Sequence, residues 1–526
     1  MEQKERHAVC GNGIVLKMED YMSKTLEEFE QYLDKMKKYE HINTLLYWDM
    51  KTCAPKLGQA GHIDALTYFS TESFAMSTSD ELYGMLEKLK KPEEFEQLSD
   101  KMKFIVTRMQ RDMEKDRRIP KDRYEVMVRE QAESGNAWED AKNASDFSIF
   151  APHLEKMIAL TKEMAGYTDP GKEVYDVLLD KYEEGMDSAT IDRLFGELKE
   201  ALIPLVKKIL AAKQPDDAKF HAYFDPDDQR KVQDLLLSYI GFSKDAGSVG
   251  ETEHPFTLNF SSKDVRVTNH YYEHDPISAM FSAIHEGGHA IFEQNVNPEY
   301  DNTVAGSCHY MGVHESQSRF YENILGRNKN FWIPVYGKVQ ELMPQMKEIS
   351  LDEFYHEINH VRNSLIRTEA DEVTYCFHII LRYEMEKAIF RDNVPVENLP
   401  ELWNQKMKEY LDITPANDAE GILQDMHWSD GSFGYFPSYL LGSIYDGMYL
   451  EELEKELGPV DEILKDGRIL QITKWLNKKI HWYGSTRTPK EVIANVCGKE
   501  VSAEPLVRYF EKKYADIYNL DHLMEK

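Results

Sequence analysis

The sequence is short of cysteine, of basic charge and of long uncharged stretches. Its five cysteines among 526 residues, Cys10, Cys53, Cys308, Cys376 and Cys497, are odd in number, widely spaced and free of any CxxC pattern. That argues against a disulfide framework or a zinc knuckle. Lysine and arginine number 63 against 93 aspartates and glutamates, a formal net charge of −30. A field of that sign repels phosphate backbones and anionic lipid, so neither nucleic acid nor a membrane is expected as a partner. No uncharged run is long enough to span a bilayer. The one apolar stretch near the N-terminus, Ile14 to Leu16, is too short for a signal-peptide core. These absences predict a cytoplasmic protein. No linker or repeat period divides the chain, so residues 1–17 are expected to form a loose tail and 18–526 a single α-helical domain.

What is present is helical periodicity. Apolar residues recur at three- and four-residue spacing over Leu26 to Tyr39, Asp80 to Leu89, Ile191 to Lys213 and Leu402 to Tyr410. The exception is His254 to Tyr272, where Phe256, Leu258 and Phe260, then Val265 and Val267, alternate about a Ser-Ser-Lys-Asp turn; this predicts a short hairpin or small sheet. Trp428 to Gly442, rich in glycine, serine and aromatics, is expected to be a loop.

The pattern HExxH occurs at His285-Glu286-Gly287-Gly288-His289. Residues i and i+4 of a helix lie one above the other, so two imidazoles can hold one metal while the glutamate beside them takes a proton from water. The pattern occurs again at His356-Glu357-Ile358-Asn359-His360, so it is not decisive by itself. Periodicity separates the two. Phe354, Ile358, Val361 and Leu365 form an apolar stripe that points His356 and His360 to solvent. At the first string, Ile277, Phe281, Ile284, Ile291 and Phe292 form the stripe, with His285 and His289 at its edge and Glu286 just beyond. Two mid-helix glycines cost roughly 1 kcal/mol each relative to alanine, so Gly287 and Gly288 imply close approach of another group. A third ligand is needed. Phe292 and Asn295 occupy the positions where a metzincin carries its glycine and third histidine. A carboxylate from the next helical stretch is the alternative: Glu315 is best placed, Glu322 is in reserve, and His309 and His314 compete.

The chain resembles the carboxypeptidase Taq family of metallocarboxypeptidases. The resemblance runs in order through Tyr47-Trp48-Asp49, His254-Pro255-Phe256, DxRxT at Asp264 to Thr268 and HExxH at His285. It continues through His314-Glu315-Ser316-Gln317, IRxxAD at Ile366 to Asp371, and GxxQDxHW at Gly421 to Trp428. It implies a mainly α fold, a large helical peptidase domain with a deep groove, the small hairpin lying beside the HExxH helix. It also implies zinc or cobalt held by His285, His289 and Glu315, Glu286 as general base, removal of single residues from peptide C-termini with broad preference, and a homodimer.

The chemistry asks for more residues. A tetrahedral oxyanion needs a hydrogen-bond donor, for which His427 and either Tyr435 or Tyr439 on the Gly-aromatic stretch are candidates; likeness to other helical zinc peptidases favours Tyr439. A free C-terminal carboxylate calls for a guanidinium: Arg367 first, Arg266 second. Arg367 could instead pair with Asp371 one turn along a helix. His254 could line the cleft or be structural. Asp425 could orient His427 or a metal ligand. Trp48 and Trp428 read as packing, and Cys308 as a buried apolar residue. The rival functions are a helical oligoendopeptidase, which needs no terminal arginine, and an inert scaffold. The acidic total sharpens the case for an arginine, because the global field opposes the carboxylate that must be bound.

Overall fold

Serine caps and apolar spacing set the helices at the N-terminal end of the chain. In a computed structural model that describes residues 23–306 and 309–520, Ser23, Ser79 and Ser99 each accept a backbone N–H three residues on, opening Lys24–Thr52, Asp80–Leu89 and Asp100–Asp116. On Asp80–Leu89, Leu82, Met85, Leu86 and Leu89 are buried at the spacing of one helical face. These helices and Gln59–Ser77 belong to one compact unit ending at Arg117; a second begins at Arg118. Composition does not change at that junction, which is why nothing in the sequence marks it. The expected tail 1–17, with Cys10, and also Cys308, lie outside the described residues.

The second unit contains the small sheet and every catalytic candidate. The predicted hairpin is β2 (Thr257–Ser261) and β3 (Asp264–Asn269), antiparallel, its turn held where Ser262 donates from its backbone N–H and hydroxyl to Asp301 at 2.7 and 2.8 Å. The alternation does not announce the third strand, β1 (Gly247–Glu251), which runs parallel to β3 and gives the order β1-β3-β2. Gly-Ser-Val-Gly-Glu has one apolar side chain, so no period-2 signal exists; a Cβ on Gly247 would collide with the Val265 carbonyl oxygen.

The Pro276–Gln294 helix packs on β2 and β3, and further helices make up the rest of the unit. Ile191 to Lys213 falls on Ser188–Ala211, opened by Asp187, and Leu402 to Tyr410 on Leu399–Leu411. Thr374–Phe390 is buried on nearly every face and so lacks an amphipathic pattern. The expected loop over Trp428 to Gly442 is only half loop. Gly431 and Gly434 take positive φ, but a helix starts at Phe436 with Pro437 in its first turn and runs to Leu457. Tyr439 therefore stands on a helix. No described helix is long and apolar enough to cross a membrane.

Candidate active site

The first HExxH string lies inside one helix, Pro276–Gln294, capped by Asp275, which accepts from the Ser278 N–H. Its two glycines are explained by neighbours on two sides. A Cβ on Gly287 would come within 2.6 Å of Ile240 Cδ1 on the Pro226–Ile240 helix, and one on Gly288 within 2.7 Å of the Gln317 carbonyl oxygen. Gln317 belongs to Met311–Arg319, which continues as a π-helical turn, Phe320–Gly326. On the far side of that helix, Gly442 of Phe436–Leu457 would place a Cβ 3.0 Å from the Ser316 nitrogen. Glycine contacts thus let three helix backbones close on one another, and Glu315 is carried up to the histidines. The start of the Met311–Arg319 helix is held by buried Glu183, which accepts from the Gly312 N–H and, at 3.3 Å, from Tyr445. Burial pushes that carboxyl up to about 7.

His285, His289 and Glu315 each offer a ligand atom, all within 4.8 Å of one another. His289 Nε2 is 3.7 Å from Glu315 Oε2, while Arg319 Nε donates to Oε1 of the same carboxylate at 2.7 Å. Glu322 does not join this group. It sits behind His285, 2.8 Å from Nδ1. Burial opposes charge on both, yet their mutual hydrogen bond prevails, pushing His285 up to about 9 and Glu322 down to about 2. His314 likewise lies behind His289, Nδ1 to Nδ1 at 2.6 Å, and the backbone N–H of His309 donates to Ser485 Oγ at 3.1 Å. Burial, with His314 and His285, holds His289 well below its ordinary value. Two imidazoles and one carboxylate are a donor set that fits a divalent metal such as zinc.

Glu286 is buried, and burial raises its carboxyl. Thr257 Oγ1 donates to its Oε2 at 2.6 Å. Nothing in the sequence marks Thr257: it gains a role only in the fold, where Thr257 and Asn259 share a face of β2 and reach Glu286 and Glu293 of the helix.

A second cluster adjoins the first through Tyr375. The Arg319 guanidinium lies 4.0 Å from the centre of the Tyr375 ring, and Arg367 Nη1 donates to the Tyr375 hydroxyl at 3.1 Å. Arg367 also lies 5.1 Å from the Tyr439 ring centre, and Tyr439 Oη is 3.2 Å from His427 Nε2. Tyr435 lies beside Tyr439, ring centres 5.0 Å apart and planes tilted by 52°. Burial, only partly countered by Asp425, lowers His427 to about 4.

Arg367 does not pair with Asp371, because residues 367–369 make a single 3-10 turn and Asp371 accepts the Val373 and Thr374 N–H groups, both at 3.0 Å. Arg367 bonds Asp425 instead, at 3.0 Å from Nε, and Arg382 takes the other Asp425 oxygen at 2.6 Å. Asp425 thus holds two arginines rather than orienting His427 or a metal ligand. Arg266 forks onto Asp264 at 2.9 and 2.8 Å and, by the register, lies with Leu258 on the sheet face opposite Thr257. His254 is exposed between β1 and β2. Trp428 does more than pack: its Nε1 donates to buried Glu386, which also accepts from Tyr175 and the Gly434 N–H, pinning the aromatic stretch.

The model of the carboxypeptidase Taq (M32) metallopeptidase family matches residues 28–514. The chain belongs to the carboxypeptidase Taq (M32) family. This M32 chain is 42% identical over 496 residues to carboxypeptidase 1 of Bacillus subtilis (strain 168), spanning 94% of this chain and 99% of that protein. It is 36% identical over 488 residues to thermostable carboxypeptidase 1 of Thermus thermophilus, spanning 91% and 96%. The M32 carboxypeptidase from Deinococcus radiodurans R1 shares the fold with a TM-score of 0.91 at 28% identity, over 94% of this chain and 100% of that one. Membership makes the chain an enzyme, a metallocarboxypeptidase, and the scaffold and endopeptidase readings give way to it.

Proposed function

We propose that this metallocarboxypeptidase releases single residues from free peptide C-termini, with broad preference, using zinc, or alternatively cobalt, held by His285, His289 and Glu315. A bound divalent metal supplies Lewis acidity toward the scissile carbonyl and toward water. Glu286, gripped by Thr257 at 2.6 Å, takes the proton of the attacking water and returns it to the leaving amine. The Tyr439 hydroxyl, with Tyr435 and His427 beside it, donates to the oxyanion. Arg367 receives the substrate carboxylate. The observation that carries this reading is the Arg319–Tyr375–Arg367 chain, which ties a guanidinium to the Glu315 helix and faces it with Tyr439. Arg266, on the sheet face opposite Thr257 and so turned from Glu286, is the weaker candidate.

Location in the cytoplasm is supported by the unpaired state of Cys53, Cys376 and Cys497. The homodimer is supported by large apolar side chains left exposed in the first unit, among them Leu57, Ile63 and Tyr68. The deciding experiment offers one peptide with a free and with an amidated C-terminus. Stepwise loss of residues from the free form alone is expected; equal cleavage of both would overturn the reading.

A further inference from the structure

The two histidines of the active HExxH string are backed by different groups. His285 Nδ1 faces the Glu322 carboxylate. His289 Nδ1 faces a third imidazole, His314 Nδ1 at 2.6 Å, and His314 Nε2 is 2.8 Å from Glu293 Oε1. Two ring nitrogens at that separation share one proton, and the far end of the chain decides which of them carries it. A carboxylate accepts, so the proton between Glu293 and His314 belongs to His314 Nε2. A neutral His314 then has a bare Nδ1. His289 must donate from its own Nδ1, which leaves its Nε2, the nitrogen nearer Glu315, without a proton. Metal ligation needs that bare nitrogen.

We propose that His314 and Glu293 are positioning residues that fix the tautomer and ring plane of His289 for a divalent metal. The proposal rests on the reading of His289 as a ligand given above. Both residues are themselves fixed. Glu293 is buried and accepts from Asn259 on β2, and the His314 ring meets the Phe292 ring edge-on with centres 5.3 Å apart. With both ring nitrogens engaged, His314 stands outside the group of mutually close ligand atoms and does not compete for the metal. One helix therefore supplies a ligand, Glu315, and the orienting partner of another ligand, His314.

The test is metal affinity, measured on the full chain by competing zinc, and separately cobalt, against a chromophoric chelator. His314→Phe is expected to weaken zinc binding about 10- to 100-fold while the metal-free protein still unfolds cooperatively. His314→Gln, whose amide can accept from His289 and donate to Glu293, is expected to recover most of that loss. Zinc affinity of His314→Phe within about twofold of the parent would overturn the proposal. If His314→Phe does not fold, Glu293→Gln decides: several-fold weaker zinc supports the proposal and parental affinity overturns it. His289→Ala separates the two levels. Loss of zinc there with parental affinity in His314→Phe sinks this proposal alone, whereas parental affinity in His289→Ala sinks the ligand reading and this proposal with it.

Discussion

The same five-residue pattern occurs at 285–289 and 356–360 and is folded in two ways. The first lies within a helix of 19 residues, and its imidazole centres stand 5.0 Å apart. The second falls off the end of a helix of 7 residues, Leu351–Glu357. There the Asn359 side chain donates to the Tyr355 carbonyl at 2.9 Å, bonding the acceptor that the next helical N–H would have used. His360 consequently leaves the i, i+4 geometry. His356 is exposed as the stripe predicts, but His360 is not: its side chain is only 10% exposed. Asp217, Glu357 and His360 do come as close together as the first ligand group. Arg362, however, donates to Asp217, Glu357 and His360 Nδ1 at 2.9, 2.7 and 2.7 Å, so a cation already occupies that cluster. Of the two strings, only the first continues as a helix and is met by a crossing helix that carries a carboxylate, Glu315, to its histidines.

The sharpest way to break this contrast is to exchange the central acid of each string. Glu286→Gln is expected to lower kcat about 10²- to 10⁴-fold with metal content unchanged, and Glu357→Gln to leave turnover at the parental level. Steady-state kinetics on a free-ended peptide, with metal analysis of the same samples, checks both; parental turnover in Glu286→Gln would remove the distinction. Next in size is Gly288→Ala. Its Cβ would meet the Gln317 carbonyl oxygen at 2.7 Å and Ser318 Cα at 2.8 Å, both backbone atoms, so the two helices must move apart. A cost of about 1–3 kcal/mol is expected, and metal affinity should fall with it, because Glu315 rides on the displaced helix. Asn359→Ala, the matching position of the second string, loses amide bonds to the Arg327 and Tyr355 carbonyls, costing about 1–2 kcal/mol without touching metal affinity. Urea unfolding and metal titration distinguish the two outcomes.

Much of this contrast is legible in the sequence, because it is local. The apolar stripe around Phe281 and Ile284, and the two helix-weakening glycines, call for a helix that something approaches closely, and Gln317 and Ile240 are what approach it. The helix at 80–89 is readable for the same reason: its period and its serine cap lie within one stretch. What is illegible depends on residues far apart in the chain. Thr257 is an ordinary strand residue until β2 is laid on Glu286, and Glu322 is a reserve ligand until it is found behind His285. Asp371 is an apparent helix partner for Arg367 only while a helix is assumed there; Asp425, 58 positions away, takes that role. The start of the 436–457 helix was available in the Phe-Pro pair, but the glycines before it pull the reading toward loop.

The smallest expected effect is the one that most sharpens the comparison. His360→Ala removes an imidazole that accepts from Arg362 and lies 3.3 Å from Glu357, leaving the arginine its two carboxylates. The group it removes is one partner of an ion-pair network that persists without it, on an arginine side chain 48% exposed. Such contacts contribute on the order of 0–1 kcal/mol, and stability should change by no more than that. Turnover should stay parental. Zinc stoichiometry gives the stricter readout, because Arg362 already engages one atom of each of the three groups in this cluster. Parent and His360→Ala should each bind a single tight equivalent per chain, lost in His289→Ala but not here. A second tight equivalent in the parent that disappears in His360→Ala would mean that Arg362 yields to a metal, and the two strings would then differ in degree rather than in kind.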